Sequence, residues 1–215
     1  MPADPDIVKC WVTGWALSRR LEAPTVLPQG YYVQVGLPRQ QARYVLPRFE
    51  PQSLFALAET IDTPWTFIKV CADPKAVAEA LPKPWTLQED PRLMMTAALA
   101  HTADVADADA VSRDYSPYLS VEGEVIVAEW RDRAGMVAAS GRAAMVDSSC
   151  IFDQIFVHTD HRRRGLGRAV VGLLGREALK RDKRRGILVA TTDGIALYST
   201  IGWEAHSAYA SAVIS

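Results

Sequence analysis

Apolar residues recur along the first third of the chain in short blocks separated by proline, glycine or charged residues. Blocks rich in valine, isoleucine, tyrosine and tryptophan predict strands. These strands are residues 7–17, 30–37, 42–46 and 65–71. Leu54, Leu57 and Ala58 fall at helical spacing and predict a helix over residues 51–60. Asp73 before Pro74 predicts the start of a short helix that ends at Leu81.

Beyond a proline-rich step at residues 82–84, strands and helices alternate. Predicted strands are residues 118–131, 136–145, 150–158, 186–191 and 203–213. Predicted helices are residues 94–110, 165–180 and 194–201. The 186–191 block is apolar throughout, which indicates a strand buried on both faces and parallel to its neighbours. We therefore predict an α+β fold of the α/β type, with a mixed central sheet and flanking helices over residues 85–215. A smaller α+β domain over residues 1–82 would precede it.

Composition narrows the class of protein. Apolar residues make up 49% of the 215 positions, which excludes a disordered chain. The formal net charge of −1 gives no general argument for a nucleic-acid or membrane partner. No run approaches the roughly 20 apolar residues of a membrane span, and the acidic start lacks the features of a signal peptide. Three cysteines that are far apart in sequence indicate free buried thiols in a cytoplasmic protein. They are Cys10, Cys71 and Cys150, and no His/Cys cluster predicts a metal site.

The candidate chemistry lies at one junction between a strand and a helix. The strand ends near His158, and a turn rich in arginine and glycine leads directly into the helix that follows. The N–H groups at a helix N-terminus have no intrahelical partners, and the helix dipole adds positive charge, so such a turn binds phosphate. Four arginines within residues 162–168 add charge-assisted hydrogen bonds. A pyrophosphate group is the predicted ligand.

Three other phosphate or nucleophile motifs do not fit this junction. A dinucleotide fingerprint needs a third glycine where Val170 stands. A P-loop needs Gly-Lys followed by Ser or Thr, whereas Gly167 is followed by Arg168 and Ala169. The GxSxG motif of the hydrolases is absent.

Two motifs in the second half resemble those of the Gcn5-related N-acetyltransferases, the GNAT superfamily. Arg162-x-x-Gly165-x-Gly167 after a strand resembles the family's acetyl-coenzyme A signature. Leu197-Tyr198-x-x-x-Gly202-Trp203 resembles the element that follows the next strand in the family. The resemblance covers residues 118–215 well, residues 85–117 loosely and residues 1–82 not at all.

The resemblance implies an N-acetyltransferase that uses acetyl-CoA as cosubstrate and acetylates an amine of a small molecule or peptide. In the family, the strand before the turn splays from its neighbour, and its main chain pairs with the pantetheine arm. The implied coenzyme-binding residues are Ile155, Phe156, Val157, Arg162, Arg163, Arg164, Gly165, Leu166, Gly167 and Arg168. Tyr198 matches the family's general acid, which protonates the departing thiolate; the alternative is an aromatic side chain that packs against Trp203.

The general base stays open. Asp153 lies on an otherwise apolar strand face and is either a base or substrate contact, or a buried structural carboxylate. Glu122, Glu124 and Glu129 lie on the neighbouring hairpin, and His158 is expected to be a turn residue. Asp193 is expected to cap the helix that carries Tyr198. The basic run 180–185 suits a solvated helix C-terminus, or alternatively contacts the coenzyme's 3′-phosphate.

Other functions compete with catalysis. A non-catalytic acyl-CoA sensor is the main alternative, while nucleic-acid binding through the arginine-rich turn is disfavoured by an acidic run upstream. That run comprises Asp104, Asp107, Asp109, Asp114, Glu122 and Glu124, and it suggests a cationic acceptor amine. Three interpretations of the 1–82 domain stay open: a degenerate half of the same fold, an interaction domain, or a lid over the acceptor site. The sequence does not indicate an oligomeric state.

Overall fold

In the computed structural model, residues 2–90, 92–101, 111 and 113–215 are described. The helices are α1 (Pro5–Ser18), α2 (Pro51–Glu59), α3 (Pro74–Ala80), α4 (Leu166–Leu179) and α5 (Thr192–Ser199). The strands are β1 (Thr25–Leu27), β2 (Gly30–Leu37), β3 (Gln40–Leu46), β4 (Thr66–Val70), β5 (Thr86–Leu87), β6 (Arg92–Ala98), β7 (Tyr115–Glu122), β8 (Val125–Asp132), β9 (Val137–Val146), β10 (Ser149–Val157), β11 (Arg185–Ala190) and β12 (Glu204–Ile214). The predicted mixed sheet with flanking helices is confirmed.

The chain forms two compact units. The first comprises residues 1–95, 189–192 and 205–215, and the second comprises residues 96–188 and 193–204. Most of β12, the last strand of the chain, therefore belongs to the first unit together with residues 1–95. The division of the chain into a 1–82 domain and an 85–215 domain stays a prediction.

The first unit has a mixed sheet in which β1, β2 and β3 form an antiparallel meander. Strand β4 pairs parallel with β3 and antiparallel with β12. Helix α2 makes the crossover between the parallel strands, and Leu54 on this helix is fully buried. It packs in a core with Ile68 of β4 and Val77 of α3.

The prediction of a strand over residues 7–17 is wrong, because these residues form α1. The Asp4 carboxylate accepts a hydrogen bond from the Asp6 N–H, and Pro5 occupies the first turn, so both residues start a helix. The large apolar side chains that are buried follow helical spacing; they are Ile7, Val8, Trp11, Val12 and Trp15. The helix cap and the burial of one face therefore outweigh the strand propensity of tryptophan and valine in this segment.

The second unit is built on an antiparallel meander of β7, β8, β9 and β10. Strand β11 pairs parallel with β10 after the crossover through α4. Helix α4 packs on β8, β9 and β10. Gly141 of β9 permits this close packing, since a Cβ there would lie 2.5 Å from Ile155 Cδ1 and 2.7 Å from Val170 Cγ1.

Two predictions for the second half need correction. Residues 118–131 are not one strand: β7 and β8 are separated by a tight turn in which Gly123 has a φ of +60°. The predicted helix 94–110 is wrong over residues 94–98, which belong to β6. Residues 99–101 are helical, and residues 102–110 lie outside the described residues.

The two units share an order of elements. In the first unit, an antiparallel meander (β1–β2–β3) leads into α2, then into β4 parallel to β3, and then into α3. In the second, β8–β9–β10 leads into α4, then into β11 parallel to β10, and then into α5. The structure therefore contains a repeat that the sequence pattern did not reveal.

Candidate active site

Strand β10 parts from β11 before either strand ends. Their parallel pairing runs only from Ser149 opposite Arg185 to Ile151 opposite Ile187, while β10 continues to Val157. The peptide groups of the last part of β10 that face away from β9 therefore have no partner in β11. A splayed strand of this kind can pair with an extended ligand.

A β-bulge adds to this opening. The register between β10 and β9 shifts between Asp153 and Phe156, and Gln154 has a φ of +53°. Beyond the bulge, the His158 N–H donates to the Ala138 carbonyl at 2.8 Å. Because peptide groups alternate in an antiparallel pair, the N–H and C=O of Val157 point away from β9. The Val157 main chain thus faces the opening, and its contact with a pantetheine arm stays a prediction.

The turn after β10 exposes the N-terminus of α4. Gly165 is the N-cap residue and has a φ of +78°, a left-handed conformation that glycine adopts without strain. Its N-cap position supplies no side-chain hydrogen bond, and the first N–H bonded into the helix is that of Ala169, which donates to the Gly165 carbonyl at 3.0 Å. A Cβ at Gly165 would meet nothing within 4 Å, so the space beside the N-cap is open. These features fit a phosphate group of a coenzyme.

Gly167 has a different role from Gly165. It lies in the first turn of α4, and a Cβ there would stand 3.1 Å from Leu197 Cδ2 of α5 and 3.6 Å from Val157 Cγ2. This glycine therefore allows close packing among α4, α5 and the end of β10. The coenzyme contact that the family resemblance implies for Gly167 stays a prediction beside this packing role.

The four arginines of the turn differ in their contacts. Arg164 Nη1 donates to the Tyr115 hydroxyl at 2.9 Å. Arg162 Nε donates to the Val157 carbonyl at 3.4 Å, and Arg168 Nη2 donates to Thr200 Oγ1 at 3.4 Å. Arg163 has no side-chain hydrogen bond to the part of the chain that the structure describes. Its φ of +62° shows that the turn holds a second residue in the left-handed region.

Tyr198 lies on α5 and is buried, with 7% of its surface exposed. Its ring centroid lies 5.8 Å from that of Trp203. Tyr198 therefore makes the packing contact that the alternative to a general acid requires. Burial raises the pKa of the phenol above its ordinary value, and the nearby charge of Asp153 raises it further. Tyr198 therefore keeps its proton, and its hydroxyl lies within the electrostatic reach of Asp153.

Asp153 is half-buried and lies opposite Arg142 in the register of β9 and β10. Glu129 is held by Arg131, whose Nη2 lies 2.7 Å from Glu129 Oε2. His158 is exposed, and its Nδ1 lies 3.9 Å from Asp160 Oδ2. Of these side chains, only Asp153 carries a charge that raises the pKa of Tyr198.

Several described residues of the basic run 180–185 and of the acidic run upstream of β8 form ion pairs or hydrogen bonds within the protein. In the basic run, Lys180 and Arg181 pair with Glu177, Arg184 pairs with Asp182, and Lys183 Nζ donates to the Asp147 carbonyl. This pairing is typical of a solvated helix end. In the acidic run, Asp114 pairs with Arg133 at 2.6 Å, and Asp104, Asp107 and Asp109 lie outside the described residues.

The three cysteines are free thiols, with Cys71 and Cys150 buried and Cys10 partly buried. Burial raises the pKa of the Cys71 thiol to about 12, so this thiol is unreactive at neutral pH. Among the described residues, no group of three or more His, Cys, Asp or Glu side chains could hold a metal ion. Nor does any described helix combine the length and apolar character required to span a bilayer.

The structure brings together residues that the sequence did not connect. Arg164 contacts Tyr115, Tyr115 contacts His161, and His161 lies 4.0 Å from Asp132. Tyr115, His161 and Asp132 are far apart in sequence and belong to no motif, so no sequence signal identified them.

Residues 121–205 match the family model of the acetyltransferase (GNAT) domain. The chain matches no curated protein sequence. Among solved structures, it is similar to a GCN5-related N-acetyltransferase from Kribbella flavida, with a TM-score of 0.62 and 12% identity over 94% of this chain and 93% of that one. It is also similar to a putative acetyltransferase of the GNAT family from Novosphingobium aromaticivorans, with a TM-score of 0.58 and 14% identity over 99% of both chains.

A third similar structure is a tandem GNAT protein from the clavulanic acid biosynthesis pathway. It has a TM-score of 0.55 and 14% identity, over 80% of this chain and 74% of that one. At these identities, the similarity establishes the fold.

Proposed function

We propose that this chain, whose residues 121–205 match the acetyltransferase (GNAT) domain, is an acetyl-CoA-dependent N-acetyltransferase that acts on an amine of a small molecule or peptide. One observation carries this proposal. The end of β10 parts from β11 directly before a turn that leads into a glycine N-cap. An extended thioester arm and a pyrophosphate group thus have adjacent places along one stretch of chain.

The arginine-rich turn would bind and orient the coenzyme. The first N–H groups of α4 have no partner within the helix, and the space beside the Gly165 N-cap is open, so these groups would donate to pyrophosphate oxygens. Arg162, Arg163 and Arg164 add positive charge at the same end of the helix dipole. The Val157 peptide would pair with the pantetheine arm and fix the thioester near the bulge of β10.

Acetyl-CoA supplies an acyl group activated as a thioester. In the transfer, the acceptor nitrogen bonds to the acetyl carbon, the C–S bond breaks, and the amine loses a proton. Tyr198 would donate its phenol proton to the departing sulfur, and burial keeps the phenol protonated before that transfer. Asp153 lies close enough to influence Tyr198 and is the candidate contact or base for the acceptor amine.

We propose that the first unit is a degenerate copy of the acetyltransferase fold without a coenzyme site. Its elements follow the order of those around α4, but α2 begins at Pro51, which has no N–H to donate. The N-cap residue there is Glu50, whose negative charge would repel a phosphate. The junction between β3 and α2 carries no glycine.

The proposed activity is tested by measuring thiol release from acetyl-CoA in the presence of a panel of amines, together with calorimetric binding of acetyl-CoA. We expect binding, and turnover with at least one amine class. Binding without turnover on any amine would support the acyl-CoA sensor instead. Failure to bind acetyl-CoA would contradict both functions.

The same panel tests the nature of the acceptor. The acidic run upstream of β8 leads us to propose a cationic acceptor, since carboxylates attract and orient an ammonium group. We expect higher kcat/KM for polyamines and cationic peptides than for amines that carry a carboxylate of their own. Equal kcat/KM for cationic and anionic amines of similar size would contradict this preference.

A further inference from the structure

Arg164 is held differently from the other arginines of its turn. Its Nη1 lies 2.9 Å from the Tyr115 hydroxyl, a normal hydrogen-bond length between two side chains. Arg162 and Arg168 make only longer contacts of 3.4 Å, and Arg163 has no side-chain partner among the described residues. The Arg164 side chain is exposed, whereas Tyr115 is buried with 7% of its surface exposed. A fixed phenol therefore anchors a guanidinium that reaches solvent.

The Tyr115 hydroxyl makes two side-chain hydrogen bonds. A guanidinium can only donate, so the Tyr115 oxygen accepts from Arg164. The Tyr115 oxygen also lies 2.9 Å from His161 Nδ1, and in the Nε2–H tautomer of the imidazole this nitrogen accepts the phenol O–H. In that tautomer the Nε2–H faces Asp132 Oδ2, with 4.0 Å between the nitrogen and the oxygen.

Asp132, at the far end of this chain of contacts, is held by hydrogen bonds to the backbone. Asp132 Oδ1 accepts hydrogen bonds from the Ala134 and Met136 N–H groups, both at 2.9 Å, and so belongs to the turn between β8 and β9. Tyr115 lies opposite Asp132 in the β7–β8 register. His161 also packs edge-on against the Tyr115 ring, with 5.6 Å between the ring centroids. The contacts thus connect a strand hairpin to the arginine turn through side chains.

We propose that Tyr115 and His161 are positioning residues that hold Arg164 ready for the pyrophosphate of the acyl-coenzyme A. This inference rests on the proposed function. A long arginine side chain loses conformational freedom when it binds a ligand, and an arginine already fixed by a hydrogen bond loses less. The Tyr115 oxygen takes one of the five guanidinium N–H groups, which leaves the others to donate to phosphate oxygens.

A double-mutant cycle tests this proposal through the Kd of coenzyme A, measured by calorimetry. Tyr115→Phe removes the acceptor of Arg164 and is expected to weaken binding about 3- to 30-fold. In a protein that already carries Arg164→Gln, Tyr115→Phe should have little further effect. The matched cycle uses Arg163→Gln, which removes an arginine of the same turn without that contact, and there the two effects should multiply. A Tyr115→Phe effect of equal size in the wild-type and Arg164→Gln proteins would overturn the proposal.

His161 provides a second test that does not depend on Tyr115 variants. His161→Ala should weaken coenzyme A binding, and His161→Asn should restore much of it, because an amide oxygen can accept the phenol O–H in place of Nδ1. Thermal midpoints of all variants report loss of folding. Equal Kd values for the Ala and Asn variants would overturn the role of His161. A wild-type protein that binds no coenzyme A would refute the proposed function itself, whereas binding with independent effects in both cycles would refute this positioning role alone.

Discussion

Replacing Tyr198 with phenylalanine is expected to lower kcat about 100-fold or more, while the Kd of acetyl-CoA changes by less than about twofold. A positioned general acid contributes roughly 10²–10⁴ in rate, and phenylalanine keeps the ring but removes the proton. The ring packing against Trp203 is retained, so the fold should survive. The measurement combines steady-state thiol release with calorimetry on the same preparations.

Tyr118→Phe is the matched control for this substitution. Tyr118 lies on β7 with 49% of its surface exposed, and its ring is covered by the Arg131 guanidinium at 4.6 Å. Tyr118→Phe also removes a phenol hydroxyl, but from β7 and not from α5, so kcat should stay unchanged. Wild-type kcat in the Tyr198→Phe protein would show that Tyr198 is a packing residue. It would leave the departing thiolate to be protonated by another group or by water.

Replacing Gly165 with alanine is expected to weaken acetyl-CoA binding about 10-fold or more. Alanine in the left-handed region costs about 1–2 kcal/mol, so the turn would shift away from a φ of +78°. The N–H groups that follow Gly165 would then no longer converge on one phosphate position. Calorimetric Kd values and thermal unfolding should be measured together, because the strain also lowers stability.

Gly123→Ala separates strain from function. Gly123 has a φ of +60°, and a Cβ there would meet nothing within 4 Å, as at Gly165. It lies in the turn between β7 and β8, outside the arginine-rich turn. The two variants should therefore lose similar stability, but only Gly165→Ala should lose coenzyme affinity. Equal affinity losses in both variants would mean that the glycine N-cap has no particular role in binding.

The sequence predicted the second half of the fold well because local signals and burial agree there. The apolar block 186–191 overlaps a strand parallel to β10, and the helix after the arginine-rich turn starts at Leu166, one residue after the predicted start at Gly165. The family resemblance of residues 118–215 is also confirmed by the match over residues 121–205. Each of these features depends on residues that are close together in sequence.

Features that depend on long-range contacts were not predictable in the same way. Residues 7–17 carry strand-forming side chains, yet burial of Trp11 and Trp15 on one face stabilises a helix. The repeated order of elements in the two units is a property of topology and left no periodic sequence signal. Tyr115 reaches His161 and Arg164 only because β7 folds back beside β8, and no motif marks a residue of that kind.

A crystal structure of the protein with acetyl-CoA bound would show whether the arginine-rich turn holds the coenzyme. We expect pyrophosphate oxygens to accept hydrogen bonds from the N–H groups that follow Gly165, with the pantetheine arm beside Val157 and the thioester sulfur within reach of the Tyr198 hydroxyl. A coenzyme bound elsewhere, with the arginine-rich turn empty, would contradict this expectation.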